Sequence, residues 1–359
     1  MRRLAVSSLL ALVFVSGLPE MSTPADAANR VQVVACRSSK RVCWPTGFAF
    51  TPDGTQLLYV ERFTGQIRLR DLATNSDTRW AQIKVDGRSG EQGLLGIAVD
   101  PQWPSPATVF VYVTKGSPLR NRILRVTKLS DGRVIKNRIL SIRAAEFHNG
   151  GTIHFHPDGT LWAVTGDAQK PRLAQRRNSR AGKVLRITES GAAAPGNPNG
   201  RRWWSRGHRN SFGFAFDPVT GTPWQTENGP ECNDEINRII RGRNYGWGAR
   251  SQDCPRTNVS GPNIVKPRRR INPPIAPTGA AFCSSCNLGA STEGTLLVGS
   301  YNDRRIRRYT LTSDREQIAA RSVVYVHGRA ILAVESAPAT GAFPGVYFSD
   351  RRGIYRLTP

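Results

Sequence analysis

The stretch GFAFTPDGTQLLYVERFTGQIRLR, residues 47–70, alternates apolar and polar side chains, turns at Pro52-Asp53-Gly54, alternates again, and further on ends in a run with spaced Ile67, Leu69 and arginines. A period of two broken by turn residues reads as consecutive antiparallel strands. The pattern returns as GIAVDPQWPSPATVFVYVTKG (96–116) with NRILRVTKL (121–129), as GTIHFHPDGTLWAVTGD (151–167) with GKVLRIT (182–188), and as GFAFDPVTGTPWQTENG (213–229) with DEINRII (234–240). Two further copies are GAAFCSSCNLGASTEGTLLVGSYNDRRIRRYTL (279–311) and ILAVESAPATGAFPGVYFSDRRGIYRLTP (331–359), which makes six. Small sheets repeated at intervals of roughly 50 to 65 residues bury their faces only against one another, so the sequence predicts an all-β chain, a six-bladed β-propeller. The early strand VQVVA, residues 31–35, would join the C-terminal strands and remove the open edge.

The N-terminus stands apart from this pattern. Arg2 and Arg3 precede an apolar run from Leu4 to Leu18, and Ala25-Asp26-Ala27 has the small-x-small form of a cleavage site. Residues 1–27 therefore read as a removed signal peptide and 28–359 as a single propeller domain, secreted or periplasmic. No other segment has the apolar length of a membrane span. Six cysteines, an even count in an exported chain, favour disulfides. Pairing of neighbours (36 with 43, 232 with 254, 283 with 286) is the simplest of fifteen connectivities, and only Cys283-x-x-Cys286 resembles half of a zinc site.

Lys plus Arg is 51 against 26 acidic residues, and the formal net charge is +25. The expected signal peptide carries two charges of each sign (Arg2, Arg3, Glu20, Asp26), so the mature chain keeps that value. Such a field attracts polyanions. The cations are scattered and no nucleic-acid module accompanies them, which argues against nucleic acid and leaves an anionic envelope polymer as a partner.

Chemistry-bearing residues gather at the strand starts. In FHNGGTIHFHPDG (147–159), His148 stands just before the third copy; in RGHRNSFGFAFD (206–217), His208, Arg209 and Asn210 hold the same place before the fourth. Adjacent blades would turn both groups toward the channel, which is how a site is built rather than a set of turns. TENGPECNDEIN (226–237) adds Gly229-Pro230, whose carbonyls cannot all join a ladder, followed by Asp234 and Glu235; hard oxygens of this kind suit calcium. His154 and His156 share one face of a strand as a possible metal pair, but without a third ligand they read as a solvated strand face. Asp167 reads as a loop tie.

At these residues the chain resembles a known family. GEQGLLGIAVDP, HNGGTIHFHPDGTLWAVTGD, GKVLRI, GHRNSFGFAFDPVTG, ENGPECNDEIN and GRNYGWG, in order from about residue 44 to 248, resemble the glucose/sorbosone dehydrogenases, soluble quinoprotein aldose dehydrogenases on a six-bladed propeller. The resemblance continues through APTGAAF and LLVGSYNDRRIRR. It implies pyrroloquinoline quinone (PQQ) over the channel mouth beside Ca2+, an aldose sugar or oligosaccharide as substrate, and an unknown electron acceptor. His148 would then be the general base toward the anomeric hydroxyl. Arg209 would steady charge on the quinone oxygen, and Asn210 would touch the cofactor. The carbonyls of Gly229 and Pro230 would hold the cofactor calcium, with Glu235 and the Tyr245 carbonyl in a second calcium site.

Departures from the family pattern fall on the quinone contacts. Glu91, with Gln92 one step on, stands where a glutamine is expected, Asn302 where a lysine is, and His327 where the first of two arginines is, leaving Arg329. The position of an aromatic residue that covers the cofactor holds Asn272, while Arg304 and Arg305 lie close by in sequence. Two other function classes follow from these losses. One is a non-catalytic basic propeller binding an envelope polyanion or glycan; the other is a calcium-dependent lactone hydrolase, which would need a cluster of channel-facing carboxylates.

Overall fold

In the computed structural model, residues 30–36, 43–249, 254 and 264–359 are described. The expected signal peptide lies outside them. Six four-stranded antiparallel sheets follow one another around a central channel, as the repeats predict. Their innermost strands are Pro45–Phe50, Leu94–Val99, Gly150–Phe155, Ser211–Phe216, Pro277–Phe282 and Ala333–Ser336. Helix among the described residues is confined to Arg172–Gln175 and a 3-10 turn at Pro198–Gly200. No helix there is long and apolar enough to cross a membrane.

The ring closes as the early strand suggests. Arg30–Ala35 pairs antiparallel with Gly353–Thr358, Val31 opposite Leu357 and Val33 opposite Tyr355, so the sixth blade takes its outer strand from the other end of the chain. The three expected disulfides, Cys36–Cys43, Cys232–Cys254 and Cys283–Cys286, are all present.

The core lies between blades rather than at a single centre. Leu58, Val60 and Ile67 of the first blade pack with Leu94, Ile97, Val109 and Val111 of the second. Leu95, Phe110 and Tyr112 of the second pack with Ile153, Leu161 and Ala163 of the third. Each such side chain contributes about 1.5–3 kcal/mol on burial, so the seams carry most of the cohesion.

Near the channel the seams tighten to backbone contact. The glycine that opens five of the six copies explains how: a Cβ on Gly96 would run into the Gly151 carbonyl, and one on Gly213 into that of Thr278. Threonines then stitch neighbouring blades together. Thr46 Oγ1 donates to the Leu94 carbonyl at 2.8 Å, Thr226 to that of Thr278 at 2.8 Å, and Thr278 to that of Ile331 at 3.0 Å.

One expectation for these inner strands is corrected. His154 and His156 do not form a solvated face, because inner-strand residues face the channel or the next blade. The His154 ring stacks on Phe214 with centroids 5.9 Å apart, and His156 packs edge-on against Phe216 at 4.8 Å while its Nδ1 accepts the Asp158 N–H.

Lys183 is a buried cation that the seams do require. Its ammonium donates to the carbonyls of Leu173, Ala174 and Ala181 at 2.8, 2.9 and 2.8 Å, which uses all three of its protons and pins the short helix to the third blade. Lys183→Met is expected to strand three buried carbonyls and to lower stability by about 3 kcal/mol. Urea unfolding reads this as a lower midpoint at unchanged slope.

Candidate active site

The channel mouth opens into a cavity of about 410 Å³ whose rim includes Glu91, Phe147, Asn228, Arg62, Trp44 and Tyr301. His148 sits at this mouth with its backbone in the left-handed region, φ 59°. For a non-glycine residue that conformation is strained by about 1–3 kcal/mol and persists only where surroundings enforce it. Here the enforcement is explicit. The N–H groups of His148 and Asn149 both donate to Glu91 Oε2, at 2.6 and 3.3 Å, and the His148 carbonyl accepts the Ala168 N–H at 3.0 Å.

The imidazole is oriented from behind. Its Nδ1 lies 2.8 Å from Oδ1 of Asp167, which is completely buried and also accepts the Trp247 indole N–H at 2.6 Å and the Gln169 N–H at 2.8 Å. Asp167 thus does more than tie a loop: it fixes the ring so that Nε2 is the nitrogen left for a reacting proton. Reasoning from sequence missed this role, since the aspartate follows its strand by only two residues and nothing in TGD points back to His148. The indole comes from NYGWG, a segment in which the resemblance assigns a role to the Tyr245 carbonyl and none to Trp247.

Arg209 and Asn210 meet this pair from the fourth blade. The Arg209 carbonyl accepts the Asp167 N–H at 2.8 Å, joining the two halves through the backbone. Its guanidinium lies over the Trp247 ring at 5.4 Å and donates from one nitrogen to the carbonyls of Asn228 and Gly229 at 2.9 and 2.8 Å. Burial pulls its pKa down, opposed by Asp167, Glu227, Glu91 and Asp234, and an arginine so surrounded stays charged. Asn210 Nδ2 donates to both oxygens of Glu91 at 2.9 and 3.1 Å. One carboxylate from the second blade therefore holds residues of the third and fourth.

The remaining expected residues divide. His208 is fully buried and turned from the channel, between Ser205 Oγ at 2.8 Å, Glu227 at 3.0 Å and the Tyr245 ring. Gln92 ties its loop to the segment before the third blade, its Nε2 donating to the Ala145 carbonyl at 3.0 Å while its Oε1 accepts from Ser89 Oγ at 3.3 Å. Gly229 admits no side chain, since a Cβ would strike the Cys232 carbonyl. Asp234 takes the N–H groups of Gly229, Ile275 and Ala276, and burial nevertheless raises its pKa. Glu235 is buried beside Asn237, whose amide donates to it at 3.2 Å, while the Tyr245 hydroxyl donates to the Arg238 carbonyl at 2.5 Å.

A second cavity of about 540 Å³ shares Trp44, Tyr301 and Leu332 with the first. Asn302, Arg304, Arg329 and Arg351 face it. Arg329 is paired with Asp350, whose other oxygen contacts and neighbours include Tyr355 and His327, the last at 2.9 Å. Asn272 exchanges side-chain and backbone bonds with Asn233 at 2.8 and 2.9 Å, so it braces the Gly229 loop.

Asn228, which lines the cavity, has a buried Oδ1 with no partner, and so do Asn210 Oδ1 and Arg209 Nε of the two residues bonded to its backbone. Unsatisfied groups gathered at a cavity call for a polar ligand. A proton acceptor, a fixed cation, an amide and an adjoining arginine-lined cavity suit a planar, anionic redox group, and fold and site together define a six-bladed propeller oxidoreductase. The chain belongs to the glucose/sorbosone dehydrogenase family, whose model matches residues 43–349.

Its relatives agree with this placement. It is 30% identical over 340 residues to an uncharacterized protein of Synechocystis, covering 84% of this chain and 82% of that one. It is 28% identical to quinoprotein glucose dehydrogenase B of Acinetobacter calcoaceticus over 56% of this chain, a match that spans only half the length of that enzyme. Among solved structures, the PQQ-bound aldose sugar dehydrogenase of Streptomyces coelicolor is 28% identical, with a TM-score of 0.76 over 93% of this chain and 98% of that one.

The strained His148 gives a test of the site's construction. Gly166 lies against the His148 carbonyl, and a methyl there would collide with it. Gly166→Ala is expected to cost about 1–3 kcal/mol and to speed hydrogen exchange at the His148 and Ala168 amides, read by exchange mass spectrometry beside thermal unfolding.

Proposed function

We propose that this chain is an exported, PQQ-dependent aldose dehydrogenase that oxidises the anomeric carbon of a sugar or oligosaccharide to a lactone. The observation that carries the reading is the His148–Asp167 pair facing Arg209 and Asn210 across one blade seam, beside three unpartnered polar atoms. A quinone held here would supply a two-electron oxidant for the anomeric carbon. His148 Nε2 accepts the proton of the anomeric hydroxyl, and Asp167 stabilises the imidazolium that results. Arg209 supplies a permanent cation in a partly desolvated setting, where it acts on negative charge far more strongly than in water. Asn210 and Glu91, bonded to each other, would form part of the surface that holds the cofactor.

The chain also fits a calcium ion. Two main-chain carbonyls, those of Asn228 and Gly229, already converge on one cationic nitrogen, and hard oxygens presented to a cation are the donor type calcium takes. The carbonyls of Gly229 and Pro230 would hold it. Glu235 and the Tyr245 carbonyl would serve a second, structural calcium. Arg329, with Arg304 and Arg351, offers the charge that a tri-carboxylate cofactor needs, in place of the altered positions. The surplus of +25 favours adhesion to an anionic envelope polymer.

Dye-linked oxidation of a panel of aldoses by the mature protein, with calcium and added quinone, tests the reading. Quinone-dependent turnover is expected, abolished in His148→Ala and reduced about 100-fold or more in kcat in Asp167→Asn, with little change in KM. A folded protein that neither turns over sugar nor binds the quinone would leave the fold as a non-catalytic, polyanion-binding propeller.

A further inference from the structure

Deeper in the channel, on the inner strands of opposite blades, His154 and Glu335 face one another. Both line the cavity below the mouth, and both also line a third cavity of about 350 Å³ that continues past Phe155, Ser336 and Pro338. The pair thus stands as a plug between two solvent-sized spaces. Nothing in the oxidation chemistry uses it.

Its atoms are arranged in a way that a simple ion pair does not explain. The His154 ring is held by stacking on Phe214, and its Nε2 is buried with no hydrogen-bond partner. In the neutral tautomer protonated at Nδ1, which a ligating Nε2 requires, Nε2 carries the lone pair. Glu335 Oε1 lies 3.5 Å from this nitrogen, with the histidine as its ion-pair neighbour. A lone pair facing a carboxylate is repulsive unless a proton or a cation lies between them. At 3.5 Å the two are too far apart to share a proton in an ordinary hydrogen bond.

A cation fits that gap. For a tetrahedral ion with metal–nitrogen and metal–oxygen distances near 2.1 Å, cis ligand atoms lie about 3.4 Å apart. We propose that His154 Nε2 and Glu335 form a binding site for a borderline divalent transition metal, Zn2+ or Cu2+, at the waist of the channel. Calcium is disfavoured because half of the protein donor set is nitrogen. No third His, Cys, Asp or Glu joins the pair among the described residues, so water from the two flanking cavities completes the coordination. Burial supports this state of the ligand: it lowers the His154 pKa to about 4, so the imidazole is neutral and free to ligate at neutral pH. Glu335, whose pKa burial raises, is the group the ion must hold deprotonated.

The test uses the untagged mature chain, stripped with chelator and returned to calcium. Titration with Zn2+ by calorimetry is expected to show one site per chain and a raised Tm, and Cu2+ in its place to show coupling to a single imidazole nitrogen by electron paramagnetic resonance. Glu335→Gln preserves shape while removing the charge, and His154→Ala removes the nitrogen. Each is expected to weaken the site at least tenfold, while His148→Ala leaves it intact. Wild-type protein that takes up no zinc, uptake that survives Glu335→Gln in folded protein, or uptake lost in His148→Ala overturns the proposal. So does a carboxylic-acid band of Glu335 in the infrared spectrum that zinc fails to remove, because a proton would then occupy the gap.

Discussion

Everything in this molecule depends on the ring being closed. A propeller blade buries little by itself; its apolar faces are hidden only when the next blade is in place, and the last blade is in place only when Arg30–Ala35 pairs with Gly353–Thr358. That single ladder converts six marginal sheets into one cooperative unit. It also fixes the channel, because the inner strands approach to backbone contact at Gly96 and Gly213 and are stitched by Thr46, Thr226 and Thr278.

The site inherits its geometry from those seams. His148 comes from the third blade, Arg209 and Asn210 from the fourth, and the carboxylate that holds them together from the second. None of these groups is positioned by its own loop alone. Glu91 shows the economy of the arrangement: it enforces the left-handed backbone of His148 and orients the amide of Asn210 at once. Its charge serves as an anchor within the protein, which is why a glutamate can occupy a place at the mouth where a neutral amide is expected.

Much of the fold was legible because strand period, turn residues and the opening glycine recur in every complete copy, and each is a local signal. The closing strand was legible because an apolar alternating run with no partner nearby must pair somewhere. His148, Arg209 and Asn210 could be picked out by their equivalent positions before successive strands. Other residues resisted because their roles are set across the fold. His208 shares its segment with Arg209 yet turns inward to Glu227, and a one-residue step on a strand decides which face a side chain takes. Asp167 and Trp247 are 80 residues apart and meet only once the blades are stacked. His154 was misread as exposed because an inner strand of a ring has no outer face.

The acids around Arg209 carry one more consequence. Glu91, Asp167, Glu227 and Asp234 all act on that guanidinium, so the floor of the mouth is locally acidic in a protein whose net charge is +25. Sign therefore changes across the mouth: its floor carries carboxylates, while the side cavity beside it is lined by Arg304, Arg329 and Arg351. An anionic group is thus guided to one side of the mouth and away from the other, so electrostatics alone sets the direction from which such a group can enter.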